Sequence, residues 1–147
     1  MRVGPAIVLS ALLLAGCLGG ERTFPDESDQ VQKLRVNAYA LPGAPSPRPA
    51  IIEITGLGSD GQERAFRGHL SIVLDARPDG SQADAARVRT WELDVFPTQF
   101  ASTTVAMYKI TVDPGNIPAD GNYSASATAS IQGNVFNASA SFAYTRA

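Results

Sequence analysis

The chain has few of the residues on which disulfide, metal and acid–base chemistry usually depend: its 147 residues hold one cysteine and one histidine. A single cysteine cannot close a disulfide within the chain, so the fold has to stand on packing alone. The lone histidine, His69, excludes a cluster of imidazoles around a metal and leaves one candidate base for any hydrolytic triad. Charge is sparse as well. A formal net charge of −2 is too weak for an acidic solvating tail and has the wrong sign for nucleic acid, so no nucleic-acid partner is expected. The most apolar stretch, Ala6 to Ala15, is about half the ~20 residues needed to span a bilayer. No segment keeps a helical apolar period for long.

The scarce cysteine is nonetheless well placed. Arg2 supplies a positive start, Ala6 to Ala15 an apolar stretch and Ala15-Gly16 small residues at the cut before Cys17, which together follow the plan of a secretory signal. An ordinary signal whose cysteine falls near the cut is the alternative reading. The Leu14-Ala15-Gly16-Cys17 order resembles the lipobox of prokaryotic lipoproteins. That resemblance implies a diacylglyceryl group on the thiol, cleavage before Cys17 and a membrane partner reached through the lipid. The implied location is the extracytoplasmic face of a cell membrane, or the outer membrane in a diderm, where Leu18 after the cysteine fits outer-membrane sorting.

On this reading residues 1–16 are the signal peptide, 17–30 the lipidated start and a disordered tether, and 31–147 one domain. The tether runs Leu18 to Gln30, polar and acidic with almost nothing to bury. Fully stretched it reaches about 45 Å at ~3.3 to 3.6 Å per residue.

Beyond the tether the apolar residues recur with period two. Leu34, Val36, Ala38 and Ala40 alternate with polar neighbours in a first strand, and Pro42 to Pro49 then reads as a stiff crossover between sheets. A polyproline ligand for a partner is the other use of such a segment. A second strand is expected over Ala50 to Leu57. A third, from Arg64 to Asp75, has Phe66, Leu70, Ile72 and Leu74 on one face and Arg67, His69, Ser71 and Val73 on the other. The loop from Ala76 to Ala86 carries an Arg-Pro-Asp-Gly turn, and its Asp84-Ala85-Ala86 end has the makings of a short helical turn. The fourth strand, Arg87 to Pro97, turns Trp91, Leu93 and Val95 inward, with Trp91 at the centre of the core. The fifth, about Thr103 to Val112, buries Ala106, Tyr108, Ile110 and Val112. Tyr123 to Ile131 and Phe136 to Tyr144 then alternate strictly as a terminal hairpin, with a type II′ turn expected at Gly133-Asn134.

Seven short strands separated by turn signals predict an all-β, seven-stranded sandwich. The stretch Ile117-Pro118-Ala119-Asp120-Gly121-Asn122-Tyr123, followed by alternation, resembles the turn into the penultimate strand of fibronectin type III and other immunoglobulin-like domains. The resemblance implies that the Tyr123 hydroxyl bonds back to backbone in the preceding corner, making Tyr123 a structural residue. The paired cysteines of antibody-type domains are absent, which excludes that branch.

The residues show no catalytic constellation. His69 is expected as a solvated surface histidine beside Arg67, and Ser71, its neighbour on the same face, is poorly placed as a nucleophile. Glu92 and Asp94 share a strand face, yet nothing matches a dense Asp-x-Asp-x-Asp-Gly calcium loop; no metal, other cofactor or enzymatic activity is expected. Asn122-Tyr123-Ser124 and Asn137-Ala138-Ser139 are glycosylation sequons, and Asn137 falls on the outward face. The outer face of the hairpin is uncharged, and its final strand is open to an added partner strand. The expected function is a lipid-anchored binding or adhesion module with a protein or glycan partner. The alternative is an accessory lipoprotein docked on an envelope transporter or secretion complex.

Overall fold

The computed structural model describes residues 24–77, 86–100 and 106–145. Within them eight strands form two antiparallel sheets. The first sheet contains β1 (Lys33–Ala40), β2 (Ala50–Leu57), β3 (Glu63–Arg64) and β6 (Tyr108–Val112); β2 pairs β1 on one side and both β3 and β6 on the other. The second has the order β5 (Ala86–Val95), β4 (Gly68–Ala76), β7 (Gly121–Ile131), β8 (Asn134–Tyr144). Ile52 and Ile54 from the first sheet and Leu70, Ile72, Leu74, Ala125, Ala127 and Ala129 from the second join one buried cluster, so the architecture is an all-β, sandwich-like fold.

The expected count of seven strands becomes eight because the chain changes sheets inside the expected third strand. Glu63 and Arg64 pair with Leu57 and Gly56, Ala65 to Arg67 cross over, and β4 begins in the other sheet at Gly68. Phe66 lies in the crossing and is fully buried, its ring 5.0 Å from that of Phe100 in an edge contact. An apolar alternation that runs through a crossover is indistinguishable from a strand by period alone.

Three other expectations are corrected. Trp91 is only half-buried: β5 is the outermost strand of its sheet, and the Arg89 guanidinium sits 5.2 Å from the Trp91 ring centroid. The fully buried large rings are instead Phe66, Phe100 and Tyr144. The segment Pro42 to Pro49 does not cross between sheets, because β1 and β2 are antiparallel neighbours paired up to Ala40 and Ala50, with the Leu41 N–H donating to the Pro49 carbonyl at 2.9 Å. The terminal hairpin turns at Gln132-Gly133, since Ile131 pairs with Asn134 and both central residues have positive φ (50° and 80°). That is the type I′ pattern, whose twist suits the strands it joins, rather than II′.

Residues 24–30 belong to the folded body and shorten the expected tether. The Glu27 N–H donates to the Ala65 carbonyl at 2.9 Å, the Arg67 N–H donates to the buried Ser28 hydroxyl at 2.8 Å, and Arg64 bridges Glu27 and Asp60 at 3.0 and 2.7 Å. A polar, acidic composition hides this docking because the bonds are made to backbone and to two arginines, Arg64 on Glu27 and Arg67 on Asp26. The loop turn at residues 78–80, the helical turn expected at Asp84-Ala85 and the start of the expected fifth strand lie outside the described residues, as do the signal peptide and Cys17. Ala86, the last residue of that expected turn, opens β5 instead.

Candidate functional site

The alternation that builds β7 and β8 sends alanines and rings inward and leaves Ser124, Ser126, Thr128 and Ser130 on the outer face of β7, opposite Ser141, Ser139, Asn137 and Val135 of β8. On the other side β7 pairs with β4, which continues the same rows through Asp75, Val73, Ser71 and His69. The edge strand β5 completes them with Arg87, Thr90, Glu92 and Asp94. The result is a four-stranded face with a neutral middle of short side chains. Charge is confined to its β4–β5 margin, where Arg87 pairs with Asp75 at 3.1 Å at one end and His69 meets Glu92 and Asp94 at the other.

His69 is held more firmly than a freely solvated histidine. Its Nδ1 lies 3.0 Å from Asp94 Oδ1 and its Nε2 2.7 Å from Glu92 Oε2, while the Ser71 hydroxyl donates to Glu92 Oε1 at 2.8 Å. Two carboxylates can be satisfied at once only by an imidazolium, which carries both N–H groups. The Asp94 bond first, and then the Glu92 bond, accordingly raise the His69 pKa above its ordinary 6.5. Glu92 moves the other way, below 4.5, chiefly through the Ser71 hydroxyl and then His69. Both ring nitrogens face acids and Ser71 bonds to Glu92, so the serine and histidine form no nucleophile–base pair.

The linkage has a definite sign. A raised histidine pKa contributes stability that is complete below pH 6.5 and is lost as pH rises through the folded value. The lowered Glu92 contributes above pH 4.5 and loses its share as pH falls through its folded value. The cluster is therefore tightest between those limits. The His69 ring protons should titrate with a midpoint above 6.5 by NMR, and Asp94→Asn should move it down; a wild-type midpoint at or below 6.5 would contradict the bridge.

The other sequence-derived residues fall at separate places. Tyr123 is the third residue of β7, its ring is buried, and its hydroxyl donates to the Ala119 carbonyl in the corner before the strand. Asn122 is exposed beside it. Asn137 is exposed in the middle of the polar face, where its side-chain oxygen accepts from the Thr128 hydroxyl at 2.8 Å. Among the described residues no group of three His, Cys, Asp or Glu side chains is arranged to hold a metal ion. The sequence placed Glu92 and Asp94 on one face but did not bring His69 to them, because that contact depends on how β4 and β5 are aligned.

A concavity of about 300 Å³ opens on the outer face of the other sheet and is lined by Arg35, Asn37, Glu53, Thr55 and Met107 with Val36. Sequence reading missed it. Its cause is a gap in pairing: beside β2, β3 reaches only Gly56 and β6 only Ile54, so Thr55 falls between them. No family model and no curated protein matches this chain.

Proposed function

We propose that this protein is a lipid-anchored extracytoplasmic binding or adhesion module, non-catalytic, tethered through Cys17 and built on an immunoglobulin-like sandwich of the fibronectin type III kind. The Tyr123 hydroxyl bond to Ala119 and the position of β7 as the penultimate strand support the fold assignment. The observation that carries the binding role is the neutral middle of the β4-β7-β8 face. A partner that covers Ser126, Thr128, Asn137 and Ser139 strips water from hydroxyls and amides rather than from full charges, and it freezes short side chains whose lost rotamer freedom is small. Small hydroxyl and amide side chains are also the adaptable hydrogen-bonding element of antibody paratopes.

Docking of residues 24–30 bears on how the module is held. Phe24 packs against the core, so seven residue steps separate the folded body from Cys17, a reach of about 25 Å at ~3.3 to 3.6 Å each. The domain then works close to the lipid surface. Crosslinking in intact cells tests the role, with Ser139→Arg placed at the exposed centre of the face. Partner capture should fall at least about tenfold, the effect of ~1.4 kcal/mol, with the melting temperature unchanged. Undiminished capture would remove the face from the binding role, and a single equimolar envelope complex among the products would mark an accessory subunit instead.

A further inference from the structure

The cleft beside Thr55 has the chemistry of a built site rather than of a chance depression. Arg35 and Asn37 project from β1 opposite Thr55 and Glu53 of β2, so four polar side chains converge in two adjacent rows of one sheet. Thr55 forms the floor and is almost completely buried, at 2% exposure. Glu53 is held from two sides: its Oε1 accepts from Asn37 Nδ2 at 3.1 Å and its Oε2 from the Tyr39 hydroxyl at 3.1 Å. These bonds fix the carboxylate and leave each oxygen a further lone pair. The Asn37 carbonyl oxygen also faces no demand from Glu53, since that contact uses the amide nitrogen. Arg35 is more than half exposed and touches Glu63 only at 3.4 Å, which leaves most of its donor fork available. Met107 adds an apolar margin, and its thioether adapts its shape to what packs against it.

We propose that this cleft binds one neutral sugar unit. Its two charged side chains, Arg35 and Glu53, have opposite signs, so a charged ligand would be attracted by one and repelled by the other. A neutral polyol meets no such penalty. Adjacent ring hydroxyls each donate and accept, matching a guanidinium that only donates, a carboxylate that only accepts and an amide and hydroxyl that do both. The apolar C–H face of the ring has the Met107 side chain to lie on. The volume of about 300 Å³ stands at the lower end of the roughly 300 to 1,000 Å³ of small-molecule sites, enough for a single ring and too small for an enclosed oligosaccharide. A longer glycan would enter by one residue, with the rest passing into solvent.

The cleft and the β4-β7-β8 face lie on different sheets, so either reading can fail without the other. The test is an NMR titration of the full chain with glucose, galactose, mannose and N-acetylglucosamine, and with glucuronate and glucosamine as charged counterparts. At least one neutral sugar should shift the amides of Arg35, Asn37, Glu53 and Thr55 with a Kd of about 1 mM or tighter. The charged sugars should bind at least about tenfold more weakly. Arg35→Gln and Glu53→Gln should each raise the Kd at least about tenfold while the melting temperature and the remaining amide positions stay as in wild type. Absence of shifts up to about 50 mM sugar, far above the expected range, would overturn the proposal. Shifts confined to the β7–β8 face, tighter binding of a charged sugar, or affinity unchanged in both variants would do the same.

Discussion

Phe66→Ala is expected to remove about 3–5 kcal/mol of folding stability, the cost of deleting a buried ring and leaving a cavity that neighbours only partly fill. Phe66 is fully buried and packs edge-on against Phe100, itself 6.1 Å from Tyr108, so it links the crossover to the start of β6. Relaxation into the hole is hindered by the backbone around it. A side-chain carbon at Gly56 would already lie 2.9 Å from both the Arg64 carbonyl and the Phe66 ring, which shows how closely β2 approaches the crossing. Against a total stability of about 5–15 kcal/mol the loss is severe. Calorimetry should show the midpoint falling by about 10–20 °C, at a few degrees per kcal/mol for a domain of this size. Phe66→Leu, which keeps much of the volume, should lose less than half as much. A shift of under about 3 °C in the alanine variant would show that Phe66 is not part of the main core.

Cys17→Ser is expected to move the protein from the membrane fraction to the soluble fraction. The argument is one of affinity. Each buried methylene contributes roughly 0.8 kcal/mol, one acyl chain gives only marginal binding and two give stable attachment, so on the proposed anchor the loss of the Cys17 sulfur removes nearly all of the hold at once. Among the described residues no helix is long and apolar enough to cross a membrane, and the exposed large apolar side chains there are Phe96 and Val135. On the proposed anchor, wild-type protein should leave membranes with detergent and resist high salt, and its amino-terminal peptide should carry the added mass of the acyl chains. Persistent sedimentation of the serine variant with membranes, or an unmodified Cys17 in the exported protein, would refute the anchor.

The period-two pattern makes much of the sandwich-like fold legible in the sequence. Strands β1, β2, β4, β7 and β8 lie where alternation puts them, and the inward faces of Leu34, Ala38, Leu70, Ile72 and Leu74 were readable because a strand exposes and buries every second residue. The isolated mid-sheet strength of that signal explains the failures as well. Phe66 continues the apolar pattern of β4 while occupying a crossover, Trp91 follows the inward parity of β5 yet sits on an edge strand, and Phe24 to Gln30 look like a solvated tether although their backbone and side chains bond to Ala65, Arg64 and Arg67. Each depends on what lies across from it.

The two surfaces divide in the same way. The uncharged outer face of the terminal hairpin could be read from Ser124 to Ser141 directly, since both strands and their turn are contiguous in the chain. The His69 bridge joins residues 25 and 23 positions apart, and the cleft forms where β1, β2 and the residue before β6 meet at a missing ladder partner. The sequence by itself determined the all-β class, the inward parity of most strands and the single thiol available for an anchor, because these follow from local spacing and composition. Only the tertiary structure decided which strands became edges, where the chain changed sheets and which polar groups met, because strand alignment is settled by packing between segments distant in the chain.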